Sequence, residues 1–91
     1  MSDISMISMY DTTTCPYCER AEALLERKGV QVNKILIDQV PQEFNTMIER
    51  TGLRTVPQIF IGDFHVGGFT DLYRLEQSGD LARLLANTSA A

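Results

Sequence analysis

The sequence is poor in several residue types, and each shortage narrows what the protein can do. Its 91 residues include no tryptophan, one histidine and two cysteines, and 8 basic against 12 acidic residues give a net charge of −4. A surface of this charge repels a phosphate backbone, so we expect no nucleic-acid partner. No apolar run approaches the length of a membrane span, so we expect no membrane association.

The N-terminal segment MSDISMISMY lacks the basic start and the continuous apolar stretch of a secretory signal peptide. We therefore expect a cytoplasmic protein. With 44% hydrophobic and 22% charged residues, the chain has the composition of a folded globular protein, and we expect residues 1–91 to form a single domain. In the reducing cytoplasm, a close cysteine pair is more often redox-active or metal-binding than structural.

Three apolar segments have the pattern of β-strands. They are residues 4–10, 32–37 and 58–66. The last contains Gly62–Asp63, a pair typical of a two-residue hairpin turn, which divides it into two short strands. We therefore expect four strands, the last two of them antiparallel.

Two helices are predicted between these strands. Pro16 and Pro41 suit the first turn of a helix, and Gly29 and Gly52 suit helix ends. The apolar face of the first helix is predicted to consist of Tyr17, Ala21, Leu24 and Leu25.

Leucines at helical spacing predict two further helical segments, residues 70–78 and 80–86, with Gly79 between them and Asp80 as the N-cap of the second. The order of elements, β-α-β-α-β-β-α, indicates an α/β fold. Its first crossover should be right-handed, and helices should cover the faces of the sheet.

The two cysteines stand three positions apart in TTTCPYCERAEALL, where the first helix is predicted to begin. If Cys15 lies at or just before the N-cap, its sulfur faces the free N–H groups of the first turn and the positive end of the helix dipole, which both favour the thiolate. Cys18, on the same side of that turn, can reach Cys15 to form a disulfide. We therefore predict that Cys15 is the nucleophile and that Cys18 is the resolving thiol.

Three motifs in this order and spacing resemble the glutaredoxins of the small bacterial dithiol type. They are CPYC at 15–18, TVPQIFI at 55–61 and GGFTDL at 67–72, and the resemblance covers roughly residues 4–86. It implies a thioredoxin-like fold, with a four-stranded mixed sheet flanked by helices. It also implies an oxidoreductase that uses glutathione as reducing co-substrate and acts on protein disulfides and glutathione mixed disulfides.

The resemblance further implies a glutathione site built from the second and third motifs. In relatives the proline of Thr-Val-Pro is cis, so Pro57 would turn the backbone of Val56 toward an extended peptide beside Cys15. Gly68 would allow close approach, and Thr70 at the next helix start would suit the γ-glutamyl carboxylate.

The remaining contacts implied by the resemblance involve charges and one ring. Asp71 suits the ammonium group of glutathione, Arg54 its glycine carboxylate, and Tyr17 would flank the sulfur. The expected glutathione-binding residues are Tyr17, Arg54, Thr55, Val56, Pro57, Gly68, Thr70 and Asp71.

Two positions depart from the family pattern. Thr12 stands where many relatives have a lysine whose charge favours the thiolate, so stabilisation of the thiolate here must depend more on the helix N-terminus. Thr70 replaces a commoner acidic residue, but a hydroxyl group can still cap a helix.

Other functions remain open at this stage. A scaffold that holds a [2Fe–2S] cluster between two protomers with the help of glutathione is one, although such relatives generally have glycine and serine at the positions of Pro16 and Cys18. A zinc site would need further ligands, and the remaining candidate, His65, is expected to be exposed and inert, so no metal is expected. A thioredoxin, reduced by a flavoprotein reductase, would usually have Cys-Gly-Pro-Cys preceded by tryptophan.

We expect a monomer. Its partners are glutathione and glutathionylated or disulfide-containing proteins, and ribonucleotide reductase is one candidate substrate.

Overall fold

Four strands and four helices form the part of the chain that the computed structural model describes, residues 7–89, of which 87–89 are described by their backbone alone. The strands are β1 (Ile7–Asp11), β2 (Val32–Leu36), β3 (Gln58–Ile61) and β4 (Phe64–Gly67). The helices are α1 (Pro16–Arg27), α2 (Pro41–Thr51), α3 (Phe69–Ser78) and α4 (Asp80–Ser89). The predicted alternation of strands and helices is confirmed, and residues 4–6, predicted to begin the first strand, lie outside the described residues.

Proline and glycine set the helix bounds largely as predicted. Pro16 and Pro41 occupy the first turns of α1 and α2, where the missing N–H of proline costs no helical hydrogen bond. α2 ends at Gly52, whose φ of 74° lies in the left-handed region that glycine tolerates best. α3 begins at Phe69, one residue earlier than predicted, because Gly68 is its N-cap.

α4 begins at Asp80 itself, so the prediction that Asp80 is its N-cap was wrong. The hydroxyl group of Ser78 accepts the N–H of Asp80 at 3.3 Å and thereby takes the capping role predicted for the aspartate. None of the described helices has both the length and the apolar character needed to cross a bilayer.

The sheet is mixed, as predicted, with strand order β2-β1-β3-β4. β1 pairs with β2 in parallel, with Asp11 opposite Leu36, and pairs with β3 in antiparallel fashion, with Tyr10 opposite Gln58. β3 and β4 form the predicted hairpin. β1 is a central strand of the sheet, and its last residue, Asp11, leads directly into the loop before α1.

The buried side chains form two clusters, one on each face of the sheet, because successive residues of a strand point to opposite faces. Ile7 and Met9 pack with Leu25 of α1 and Leu72 of α3 in the larger cluster, which also includes both cysteines. Tyr10 points the other way and packs with residues of β3 and α2. The odd-numbered residues of β1 therefore face α1.

Tyr17, which was predicted to lie on the apolar face of α1, is not buried. Its side chain is 57% exposed, whereas Cys18 is 1% exposed and packs in the core. The ring of Tyr17 lies against Phe69 at the start of α3, with centroids 6.2 Å apart. Helical spacing gives the direction of a side chain around the helix axis, but it does not say whether another element covers that turn.

Candidate active site

Cys15 is the N-cap of α1, as predicted. Its φ and ψ of −152° and 101° are extended, and its Sγ accepts a hydrogen bond from the backbone N–H of Cys18 at 3.2 Å. The sulfur thus occupies the place where a serine or aspartate oxygen commonly caps a helix. In the reduced protein, the same N–H group and the positive end of the helix dipole would stabilise a Cys15 thiolate.

Cys15 and Cys18 form a disulfide across the first turn of α1, with their Cα atoms 5.2 Å apart. Their exposure differs, since Cys15 is 9% exposed and Cys18 is 1% exposed. An external thiol can therefore reach the sulfur of Cys15 more readily than that of Cys18. This asymmetry supports the predicted roles of nucleophile and resolving thiol.

Hydrogen bonds to two residues that follow β2 hold the loop before Cys15 in place. The backbone N–H of Thr13 donates to Oδ2 of Asp38 at 3.1 Å, and Nε2 of Gln39 donates to the hydroxyl oxygen of Thr13 at 3.2 Å. Hydrogen bonding by Thr13, through its side chain and its backbone, lowers the pKa of Asp38. The hydroxyl of Thr12, at the position of the family lysine, donates to the carbonyl of Thr14 at 3.3 Å.

A first cavity, the Pro57 groove, has a volume of about 300 Å³. Seven of the eight residues predicted to bind glutathione line it: Tyr17, Thr55, Val56, Pro57, Gly68, Thr70 and Asp71. The eighth, Arg54, is exposed and is not part of the lining. Three further residues, Leu53, Gln58 and Phe69, complete the groove and were not predicted.

The segment that contains Pro57 is fixed on both sides. The peptide bond between Val56 and Pro57 is cis, and the half-buried side chain of Val56 packs against the core cluster that includes both cysteines. Gln58 is 2% exposed, and its side chain bonds to the hydroxyl of Thr55 at 3.2 Å and to Nε2 of His65 at 2.8 Å.

His65 is therefore a half-buried partner of Gln58, not the exposed and inert residue that was expected. Its ring also stacks on Phe60, with the centroids 4.8 Å apart.

At the far end of the groove, two glycines and an aspartate form the start of α3. Gly68 is the N-cap, and its backbone N–H donates to Oδ2 of Asp71 at 3.0 Å. Gly67 has a φ of 114°, and a Cβ atom there would collide with the carboxylate of Asp71. The first N–H groups of the helix have no carbonyl within the helix to bond to, so this end of the groove suits an anion.

Aromatic rings form one rim of the groove. Phe69 lies between Tyr17 and Tyr73, with ring centroids 6.2 Å and 6.1 Å away, and the guanidinium of Arg20 lies 5.3 Å from the centroid of Tyr17. Phe69 was not among the predicted glutathione-binding residues. Its place as the first residue of α3, directly after the Gly-Gly pair, was the available signal that it faces the groove.

A second cavity, the Asp11 cavity, has a volume of about 160 Å³ and shares no lining residue with the Pro57 groove. Its lining consists of Asp11, Thr12, Thr13, Cys15, Glu19, Glu22, Lys34 and Leu36. Four of these side chains are charged at neutral pH in their ordinary state, three acidic and one basic.

Asp11 is the residue near the cysteines that sequence reasoning missed. It is 6% exposed, and a carboxylate oxygen of Asp11 and the sulfur atoms of Cys15 and Cys18 all lie within 4.8 Å of one another. Burial raises the pKa of this carboxyl group, while the hydrogen bond from Thr12 and the charge of Lys34 act in the opposite direction. The available signal was an acidic residue in phase with Ile7 and Met9 on an alternating strand.

Comparison with known proteins gives consistent results. The family model for glutaredoxin matches residues 7–66. A glutaredoxin of Neisseria meningitidis serogroup A is 51% identical over 80 residues, which cover 87% of this chain and 94% of that protein. Glutaredoxin 3 of Escherichia coli K12 is 48% identical over 79 residues, which cover 87% of this chain and 95% of that protein.

Solved structures of glutaredoxins have the same fold as this chain. A crystal structure of a buckwheat glutaredoxin–glutathione complex matches with a TM-score of 0.85 and 28% identity over 93% of this chain and 82% of that one. The solution structure of glutaredoxin from Brucella melitensis matches with a TM-score of 0.77 and 50% identity over 88% of this chain and 87% of that one. The expected thioredoxin-like fold is confirmed by these neighbours.

Proposed function

The chain belongs to the glutaredoxin family and is a thiol–disulfide oxidoreductase, and from that premise we propose that it uses glutathione as its reducing co-substrate. In this proposal Cys15 is the nucleophilic thiolate and Cys18 the resolving thiol, and the substrates are protein disulfides and glutathione mixed disulfides. The observation that carries it is the position of Cys15 at the N-cap of α1, with Tyr17 two residues on lining the Pro57 groove. The buckwheat relative that was solved with glutathione supports it.

We place glutathione in the Pro57 groove as an extended peptide. Its cysteinyl part would pair with the backbone of Val56, in the manner of a short added strand. Its γ-glutamyl carboxylate would meet the start of α3 at Thr70, and its ammonium group would meet Asp71. Arg54, outside the lining, would reach the glycine carboxylate by extending over the rim of the groove.

The chemistry of the proposal requires Cys15 alone for one class of substrate. The Cys15 thiolate attacks the glutathione sulfur of a mixed disulfide, the bond to the substrate sulfur breaks, and the substrate leaves as a thiolate. A second glutathione thiolate attacks the Cys15-bound glutathione, which yields glutathione disulfide and regenerates the Cys15 thiolate. Because the helix N-terminus stabilises that thiolate, it is a good leaving group in this second step.

Protein disulfides require both cysteines. Attack by Cys15 leaves the substrate protein covalently bound, and Cys18 releases it by attacking Sγ of Cys15 and forming the internal disulfide seen in the structure. Glutathione then reopens that disulfide.

The test is steady-state turnover of a glutathionylated substrate and of a protein disulfide, with saturating glutathione, by wild type, Cys15→Ser and Cys18→Ser. We expect Cys15→Ser to lose both activities. Cys18→Ser should keep most or more of the deglutathionylation activity and lose most protein-disulfide reduction. Loss of deglutathionylation in a folded Cys18→Ser protein, or turnover that depends on a thioredoxin reductase in place of glutathione, would refute the proposal.

The proposal extends to compartment and partners. Glutathione keeps thiols reduced in the cytoplasm, and we place the protein there. Its protein partners would be glutathionylated or disulfide-containing proteins, with ribonucleotide reductase as a candidate.

A further inference from the structure

The proposed mechanism leaves one buried ionisable group beside the cysteines without a role. Asp11 is the last residue of β1, and its side chain points to the same face of the sheet as Ile7 and Met9, toward α1. Its carboxylate lies within 4.8 Å of both cysteine sulfurs. The backbone N–H of Thr12 donates to Oδ1 of Asp11 at 2.7 Å and fixes the orientation of the carboxylate.

The surroundings of Asp11 raise the affinity of its carboxylate for a proton. Burial is the largest influence, and it raises the pKa of the carboxyl group. Lys34 on β2 lowers that pKa, whereas Glu22 on α1 and Asp38 after β2 raise it. Lys34 is also paired with Glu22 at 3.2 Å, which leaves less of its charge for Asp11.

Glu19 of α1 also carries a charge in the cavity lining, and the two cysteines are the remaining titratable groups that face Asp11 from that helix.

The Asp11 cavity connects this carboxylate to solvent without involving the Pro57 groove. The two cavities share no lining residue, and the volume of about 160 Å³ is enough for a few water molecules. Cys18, in contrast, is 1% exposed and cannot readily exchange a proton with bulk water. A ligand in the groove would therefore leave the carboxylate in contact with water.

We propose that Asp11 is the proton acceptor and donor for Cys18, and this inference rests on the proposed role of Cys18 as resolving thiol. When Cys18 attacks Sγ of Cys15 in a mixed disulfide, the bond between Cys15 and the partner sulfur breaks and the Cys15–Cys18 bond forms. The partner leaves as a thiolate with the electron pair of the broken bond. The proton of the Cys18 thiol passes to the Asp11 carboxylate, directly or through one water molecule.

The reverse step uses the same proton. When an external thiolate attacks Sγ of Cys15 in the internal disulfide, the Cys15–Cys18 bond breaks and Cys18 leaves with its electron pair. The Asp11 carboxylic acid then protonates that buried thiolate. Proton exchange with Asp11 thus keeps the buried Cys18 from carrying a thiolate charge in either direction.

The size of the effect has a ceiling. A thiol with the ordinary pKa of about 8.5 is about 3% ionised at pH 7, so a base that removes its proton accelerates attack by at most about 30-fold. We expect roughly a tenfold contribution at neutral pH. It should vanish at a pH where the thiol ionises unaided.

The experiment uses the aromatic disulfide 5,5′-dithiobis(2-nitrobenzoic acid), without glutathione. Mixed with the reduced protein in no more than equimolar amount, it releases one coloured thiolate when Cys15 attacks it and a second when Cys18 attacks the resulting mixed disulfide. Stopped-flow absorbance separates the two phases. The second, first-order phase is measured against pH in wild type, Asp11→Asn and Glu19→Gln, which removes a carboxylate that lines the same cavity.

We expect the second phase of Asp11→Asn to be about tenfold slower at pH 7, and its rate should rise at a higher pH than in wild type. Its first phase should be much less affected. Glu19→Gln should keep both phases. Removal of a negative charge alone would favour ionisation of Cys18 and accelerate the second phase, so an unchanged or faster second phase in Asp11→Asn overturns the inference. Equal slowing in Glu19→Gln also overturns it.

A replacement variant and two outcomes distinguish failure of the proposed function from failure of the role of Asp11. If Asp11→Asn does not fold, Asp11→Ser replaces it, because a serine hydroxyl can still accept the N–H of Thr12 but cannot serve as the base. If the wild type releases only one coloured thiolate per molecule of reagent, Cys18 is not the resolving thiol, and the proposed function fails along with the inference. If the wild-type second phase is intact and the variant matches it, the assignment of Asp11 alone fails.

Discussion

The two cavities beside the cysteine pair differ in what builds them. The Pro57 groove is lined largely by a cis-proline segment, a helix start and two aromatic rings, and it has room for an extended peptide. The Asp11 cavity is about half as large and is lined by four ionisable side chains and Cys15. In our proposals, glutathione binds in the Pro57 groove, and the Asp11 cavity connects the proton-transferring carboxylate to solvent.

This difference predicts different sensitivities. The groove depends on backbone conformation, so small steric changes should damage it at any pH. The Asp11 cavity depends on charge, so substitutions that keep the shape and remove the charge should change how the protein responds to pH. Substitutions that change either shape or charge distinguish the two cavities.

The largest effect is expected from Gly67→Ala, which attacks the shape of the groove. A Cβ atom at a φ of 114° is strained, and it would displace the Asp71 carboxylate that caps α3. We expect the free energy of unfolding to fall by about 2–4 kcal/mol, the sum of the backbone strain and the lost cap. The KM for glutathione should rise as well.

Gly62→Ala is the matched control for that substitution. Gly62 also has a positive φ, of 60°, but a Cβ atom there meets nothing within 4 Å. It should cost about 1 kcal/mol and leave the KM for glutathione unchanged. Urea unfolding and steady-state kinetics measure both variants, and equal losses in the two would show that the contact with Asp71 does not matter.

A smaller effect is expected from Asp71→Asn, which removes the charge of the groove and keeps its shape. The amide oxygen can still accept the N–H of Gly68, so the thermal midpoint should change little. Loss of a charged partner for the ammonium group should raise the KM for glutathione about tenfold.

Asp80→Asn is the control, because it removes an equivalent carboxylate from the first turn of the next helix. Its KM should equal that of wild type. An unchanged KM in Asp71→Asn would count against the proposed placement of glutathione.

Most of the fold and much of the site follow from local sequence signals. The prolines and glycines at helix ends and the Gly62–Asp63 turn define the elements, and CPYC at a helix start is sufficient to place Cys15 at an N-cap. The groove required more, since the residues that line it were grouped by family resemblance. Their spacing in the chain does not bring segments 53–58 and 68–71 together.

The errors concern contacts between elements that are distant in sequence. The ring of Tyr17 contacts Phe69 and Arg20 at the first turn of α1 and remains 57% exposed. Asp11 was missed because its burial depends on how the end of β1 meets α1. A single acidic residue after an apolar strand is otherwise typical of a solvated loop, and only the packed structure distinguishes the two.

The smallest effect concerns stability and tests the Asp11 cavity directly. Burial raises the pKa of Asp11 above its ordinary value of 3.8, so between that value and the raised one the folded state holds more protons than the unfolded state. Stability therefore falls as pH rises through this window, and above the raised pKa the ionised carboxylate destabilises the fold. Asp11→Asn should raise the thermal midpoint of the oxidised protein at pH 7 by a few degrees, since 1 kcal/mol corresponds to about 4–8 °C in a domain of this size.

Asp38→Asn should behave in the opposite way, which makes it the control for a general effect of lost charge. Hydrogen bonds from Thr13 lower the pKa of Asp38, so its contribution to stability is present above the ordinary carboxyl pKa and is lost as pH falls through the lowered value. Asp38→Asn should therefore lower the midpoint slightly at pH 7. Thermal unfolding of the disulfide form, in which neither cysteine titrates, should show the two differences from wild type with opposite signs at pH 7. The difference for Asp11→Asn should shrink as pH falls toward 3.8, and that for Asp38→Asn should shrink only below 3.8. If Asp11→Asn were destabilising at pH 7, the buried carboxylate would be a net stabilising group. The Asp11 cavity would then not differ from the Pro57 groove by containing a charge that lowers stability.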